Sequence, residues 1–129
     1  MNNLVQKFKV IEREVAEERN GLALFALFER EDLPGRWVLV ISAPWVGESR
    51  RSAIDYVVGK MRARLVPAEF VSISRIVPLR PTEEFVQALN QTVHVEHGLA
   101  ELHNQLVNGI HMTRAYVITS QPQAQSSSD

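Results

Sequence analysis

Apolar residues recur along this chain at two different periods, and the switches between them outline a fold. Leu4, Phe8, Ile11 and Val15 follow one another at spacings of 4, 3 and 4, which lays a single stripe along a helix. Asn2 or Asn3 is placed to cap that helix, which runs to about Glu18, and Asn20-Gly21 stops it. Glu12, Glu14, Glu17 and Glu18 fall beside Lys7, Lys9, Arg13 and Arg19 and are assigned to the solvated side. The stripe lasts about two heptads, too few for a coiled coil, so it predicts packing on the domain's own sheet.

The period then drops to two. Leu22, Leu24, Ala26 and Phe28 alternate with Ala23, Phe25 and Leu27, so both faces are apolar and the strand is expected at the centre of a covered sheet. Pro34-Gly35 carries the signature of a type II turn. A second strand follows from roughly Arg36 to Ala43, which makes the pair an antiparallel hairpin. Pro44 ends it, and Ser49 caps a helix reaching about Leu65 whose inner stripe is Ile54, Val57 or Val58, Met61 and Leu65. Val66-Pro67 is a boundary. A turn or helical start near Pro67 precedes a strand around Val71–Leu79, with Pro78 at an edge or at the strand's end. Thr82 is read as the cap of a further helix carrying Phe85, Val86, Leu89 and Val93. Asn108-Gly109 is the strongest short hairpin signal in the chain and joins two closing strands.

The resulting order is α-β-β-α-β-α-β-β. It predicts one α+β domain over residues 1–120, with a mixed or antiparallel sheet of about five strands and about three helices. The stretch 121–129, QPQAQSSSD, holds no large apolar residue and is expected to be a disordered tail.

Composition narrows the chemistry. The 129 residues are 45% hydrophobic and 22% charged, enough for a core of ordinary size. The absence of cysteine removes disulfides, thiolate zinc sites, iron–sulfur clusters and cysteine nucleophiles. The N-terminal stretch has no apolar signal region and no apolar run reaches membrane-span length, so a cytoplasmic location without membrane contact is expected. Net charge is −1, yet residues 33–80 carry eight basic and three acidic groups between two acidic flanks. That middle is either a polyanion surface or the electrostatic partner of the chain's own ends, and the second reading is preferred.

All four histidines lie between His94 and His111. A two-residue turn at Asn108-Gly109 sets Val107 opposite Ile110, Leu106 opposite His111 and His103 opposite Arg114. Strict alternation then sends His103 and His111 to opposite faces, which argues against a shared metal. His94, Glu96 and His97 remain as a low-ranked ligand-binding or metal-dependent catalytic loop. H-E-x-x-H is absent, and the deaminase reading of H-V-E fails without P-C-x-x-C. Phosphate-loop and G-x-S-x-G patterns are also missing. No catalytic residue, metal or cofactor is therefore assigned.

The expectation that remains is a non-catalytic accessory, adaptor or inhibitor-type domain that binds another protein or itself. Its candidate contacts are Trp45, on a proline-adjacent loop, and the basic helix face of Arg50, Arg51, Arg62 and Arg64, to which Lys60 belongs. An edge near Ser74–Leu79 is a third surface. Nucleic-acid binding through the same basic face is the second alternative, disfavoured because no aromatic residues interleave with it.

Overall fold

The computed structural model describes residues 2–19, 21–30 and 34–121. Helix α1 is Asn2–Arg19, strands β1 and β2 are Leu24–Arg30 and Trp37–Ser42, and a 3-10 turn spans Pro44–Glu48. Helices α2 (Arg50–Arg64) and α3 (Pro67–Ser72) lead into β3 (Ile73–Leu79). Helix α4 (Glu84–Thr92) and strands β4 (Ala100–Val107) and β5 (Ile110–Ser120) complete the chain. The fold is α+β, as the residue pattern predicts, with one short helix more.

The strands form one mixed sheet in the order β3-β2-β1-β5-β4. Only β2 and β3 run parallel, because α2 and α3 carry the chain back between them. Strand β1 is central and pairs antiparallel with β2 and β5. Its alternation is the expected one: Phe25 and Leu27 enter one core, Leu24, Ala26 and Phe28 the other. Trp37, Leu39 and Ile41 of β2 join the first, Val38 and Val40 the second.

The two faces are covered unequally. The first core lies under α1 and α2, where Phe8, Ile11, Val15, Val57 and Met61 are almost completely buried. The second lies under α4, nine residues long, through Phe85, Val86, Leu89 and the following Val93. Asn90 pins α4 down: its buried Nδ2 donates to the Ala23 carbonyl at 3.1 Å and to Ser120 Oγ at 3.0 Å. A buried amide with both bonds made fixes one docking position for the helix.

Local signals act where expected. Gly21, at φ +101, closes α1 by donating its N–H to the Ala16 carbonyl at 2.8 Å. Ser49 Oγ accepts the Ser52 N–H at 3.2 Å at the start of α2. Asn108 and Gly109, at φ 50 and 78, make the tight β4–β5 turn, and the register is the expected one. Thr82 does not cap α4. The Ncap position is Glu83, whose Oε2 instead accepts the Arg80 N–H at 2.9 Å. Gln121 is not loose: its N–H donates to the Ala23 carbonyl at 3.0 Å, while the rest of the expected tail, 122–129, lies outside the described residues.

Candidate functional site

Four locations bear on function, and each contains residues singled out by the sequence. The first is the basic face of α2, which meets the acidic side of α1. Arg64 bonds to Glu14, and Lys60 Nζ lies 3.9 Å from Glu14 and 2.5 Å from Glu18. The hydrogen bond from Arg64 holds the Glu14 carboxyl below its usual range, and Lys60, then Tyr56, do the same for Glu18. Tyr56 donates to Glu18 at 2.5 Å; burial first, then that bond, pushes its phenol up to about 12. Arg62 stacks over Phe70 at 5.1 Å, and Arg50 reaches Glu83 at 3.0 Å. Arg51 is exposed, with no ion pair among the described residues. Of the eight basic residues between positions 33 and 80, Arg50, Lys60 and Arg64 are thus paired with the chain's own acids among the described residues.

Trp45 belongs to the same seam. It is half-buried against Tyr56, with ring centroids 5.9 Å apart, and the Arg19 guanidinium covers both rings at 5.3 and 4.4 Å. Its loop packs back on the first core instead of standing away from the domain.

The third location is the histidine loop, residues 93–99. His97 sits at φ 52, a left-handed conformation uncommon for a side-chain-bearing residue. Its N–H donates to Thr119 Oγ1 at 3.0 Å, and its Nδ1 lies 2.7 Å from Glu12 Oε2. Thr119 donates to that same oxygen at 2.7 Å. Glu12 is fully buried, and its Oε1 has no hydrogen-bond partner among the described residues. The assignment of Glu12 to the solvated side of α1 is therefore wrong. Val5 and Ala16 flank it on the wheel, and that second apolar row could have revealed its inward position.

A carboxylate holding an imidazole by one nitrogen resembles the orienting half of a general-base dyad. The other half is not assembled. His97 Nε2 faces the exposed Glu96 at 3.7 Å, His94 is exposed with no partner among the described residues, and the Thr119 hydroxyl is fully buried, its proton directed at Glu12. Of the three loop residues that the sequence singled out, the structure brings Glu96 and His97 together and leaves His94 apart.

No group of three metal-ligating side chains occurs among the described residues. Strict alternation, from which His103 and His111 are assigned to opposite faces, does not hold along the whole hairpin. Met112 and Ala115, three positions apart, both pack in the α4-side core, so alternation slips between them. The slip coincides with Asn104 at φ 52 and with a register shift where Glu29 and Arg30 meet β5. His103 instead rests beside Glu101, at 3.1 Å.

The fourth location takes in Arg75, Val77 and Leu79 of the sheet edge named from the sequence, but its concave form was not foreseen. Because α4 spans only part of its face, an open cleft of about 940 Å³ remains beside it. Phe28, Val38, Val40, Val77 and Leu79 line it from the sheet. Phe85 and Ile110 stand at opposite walls, on α4 and at the hairpin turn. Arg75 and Glu84 are both exposed on its rim. Local sequence gives no sign of it, since each lining strand reads as an ordinary covered strand.

These features define an α+β domain whose sheet is covered by two long helices on one face and by α4, beside an open cleft, on the other. Comparison with protein-family models, with curated proteins and with solved structures returned no match for the chain.

Proposed function

We propose that this chain is a non-catalytic accessory domain that holds a segment of another protein in the cleft beside α4. The observation that carries the reading is the cleft itself: about 940 Å³, floored by apolar side chains from three neighbouring strands and rimmed by charge. That volume is at the upper end of small-molecule sites, but those enclose most of their ligand. A cleft this open suits a protein segment, which brings its own polar outer face. The ion pairs along α1 and α2 weigh against a polyanion surface there, and Trp45 serves the domain's own packing.

The test is selection of peptides from a phage-displayed random 16-residue library on the full chain. Binding clones should lose affinity with Val77→Glu, at the exposed side of the cleft, and keep it with Arg62→Glu on the opposite face. Failure to select any clone, or clones indifferent to Val77→Glu, refutes the reading. No helix among the described residues is long and apolar enough to cross a membrane. A cytoplasmic location belongs to the same proposal and is checked by cell fractionation.

A second reading rests on the Glu12–His97 pair, whose outer nitrogen remains at the surface beside Glu96. It makes the loop a small-ligand or metal-dependent site. Zn²⁺, Mn²⁺ or a nucleotide should then raise the melting temperature by several degrees, an effect abolished in His97→Ala.

A further inference from the structure

We infer that the segment held in the cleft is a short amphipathic helix, lying beside α4 with an acidic side chain turned to Arg75. This rests on the protein-binding reading above and adds the shape and charge of the partner. The first argument is architectural. On the opposite face two helices, α1 and α2, lie over the sheet, whereas among the described residues α4 is the helix that covers this one. The vacancy has the size of the missing element. A helix is about 10–12 Å across and rises about 1.5 Å per residue, so two turns occupy on the order of 1,000 Å³, against the cleft's 940 Å³. Its floor is apolar, with Val77 and Leu79 half-buried and Val38 and Val40 almost fully buried, and an apolar helical stripe packs on such a surface.

An added strand fits less well. The outer strand on this side is β3, and its pairing with β2 continues through Pro78 opposite Ile41. A proline is tolerated in such a strand where its missing N–H faces away from the neighbour. The outer edge of β3 then lacks a donor that a newly added strand would need.

A second copy of the chain fits no better. The apolar stripes of α1, α2 and α4 are already buried in the two cores. The large hydrophobic side chains left exposed on helices are Val10 on α1 and Val71 on α3, which make no stripe. Residues 122–129 carry no apolar side chain larger than proline. None of these elements supplies the helix, which is assigned to a different protein.

Charge sets its flanks. Glu83 is engaged by Arg50 and the Arg80 N–H. Arg75, on the β3 rim, has no ion pair among the described residues, and neither has Glu84 in the first turn of α4. The seated helix accordingly carries an acid one turn from its apolar stripe on the Arg75 side and tolerates a base on the other.

The clones from the library selection provide the probe. Synthetic peptides from them should gain helical circular dichroism on binding, and a central proline should abolish binding. Arg75→Glu should weaken acid-flanked peptides about tenfold and be restored by exchanging that acid for lysine. Peptides that occupy the cleft but tolerate the proline, or ignore Arg75→Glu, overturn this inference and leave the cleft reading standing. Selection of no peptide at all removes both. Peptide binding that requires dimerisation of the protein, seen by sedimentation, also overturns it, because the partner surface would then be a second copy.

Discussion

Glu12 Oε2 and His97 Nδ1 lie 2.7 Å apart although 85 positions separate them, and the contact fastens the 93–99 loop to the inward side of α1. A fully buried carboxylate needs partners, and this one has Thr119 and His97. Removing either leaves a buried carboxyl oxygen short of a partner. His97→Ala should cost about 1–3 kcal/mol in urea unfolding. The cost should be clearly smaller in a Glu12→Gln background, where the carboxyl that His97 holds is already gone. Equal costs in the two backgrounds would show that the pair is not coupled.

The seam between α1 and α2 should loosen in acid. Glu14 and Glu18 are held below their usual range by Arg64 and by Lys60 with Tyr56. A carboxyl depressed in the folded state contributes stability that is fully present above its unfolded value, near 4.5, and is lost as the pH falls through the folded value. The urea midpoint should therefore fall below about pH 4.5. The fall should be shallower in Glu14→Gln/Glu18→Gln, which has already lost that contribution at neutral pH.

Tyr56 gives a spectroscopic handle on the same seam. Its phenol is pushed up to about 12, mainly by burial and then by the bond it donates to Glu18. A group raised in the folded state contributes stability that is present below its unfolded value of 10.0 and is lost as the pH rises through about 12. Phenolate absorbance should show a late phase near pH 12, missing in Tyr56→Phe and moved earlier in Glu18→Gln.

The elements themselves were legible because one physical signal dominates each. Leu4, Phe8, Ile11 and Val15 do line the core side of α1, both faces of β1 are covered, and Asn108-Gly109 set the hairpin register. What escaped were features that arise between elements. Glu12 is charged, and charge alone placed it outside; its burial depends on Thr119 and His97 arriving from the far end of the chain. The slip at Asn104 needs an αL residue inside a strand, which strict alternation does not anticipate. Helix α3 is short, and a single turn after Val66-Pro67 resembles a loop. The cleft follows from the nine-residue length of α4 against the width of the sheet, a comparison available only once both are placed.

Gly98 is constrained by a neighbour. A Cβ built there meets Val95 Cγ2 at 2.9 Å, too close for two carbons, in a loop whose Val95 backbone is bridged to Ser120. Gly98→Ala should destabilise by about 1–3 kcal/mol, as overpacking does. Val95→Ala should recover much of that loss, which thermal unfolding of the two single variants and the double variant will read.

The openness of the cleft can be measured without any partner. Val77 is half-buried on its floor, whereas Val57 is fully buried between α2 and the sheet. Extra volume at Val57 has nowhere to go and should cost about 1–3 kcal/mol as Val57→Phe. At Val77 the added ring enters space that is already vacant, beside the half-buried Leu79. Val77→Phe should therefore leave the urea midpoint within about 0.5 kcal/mol of wild type, or raise it. The same variant should block the library-derived peptides, since the ring takes their place. A large loss of stability in Val77→Phe would mean that this half of the sheet is closed in solution, and the binding proposal would lose its site.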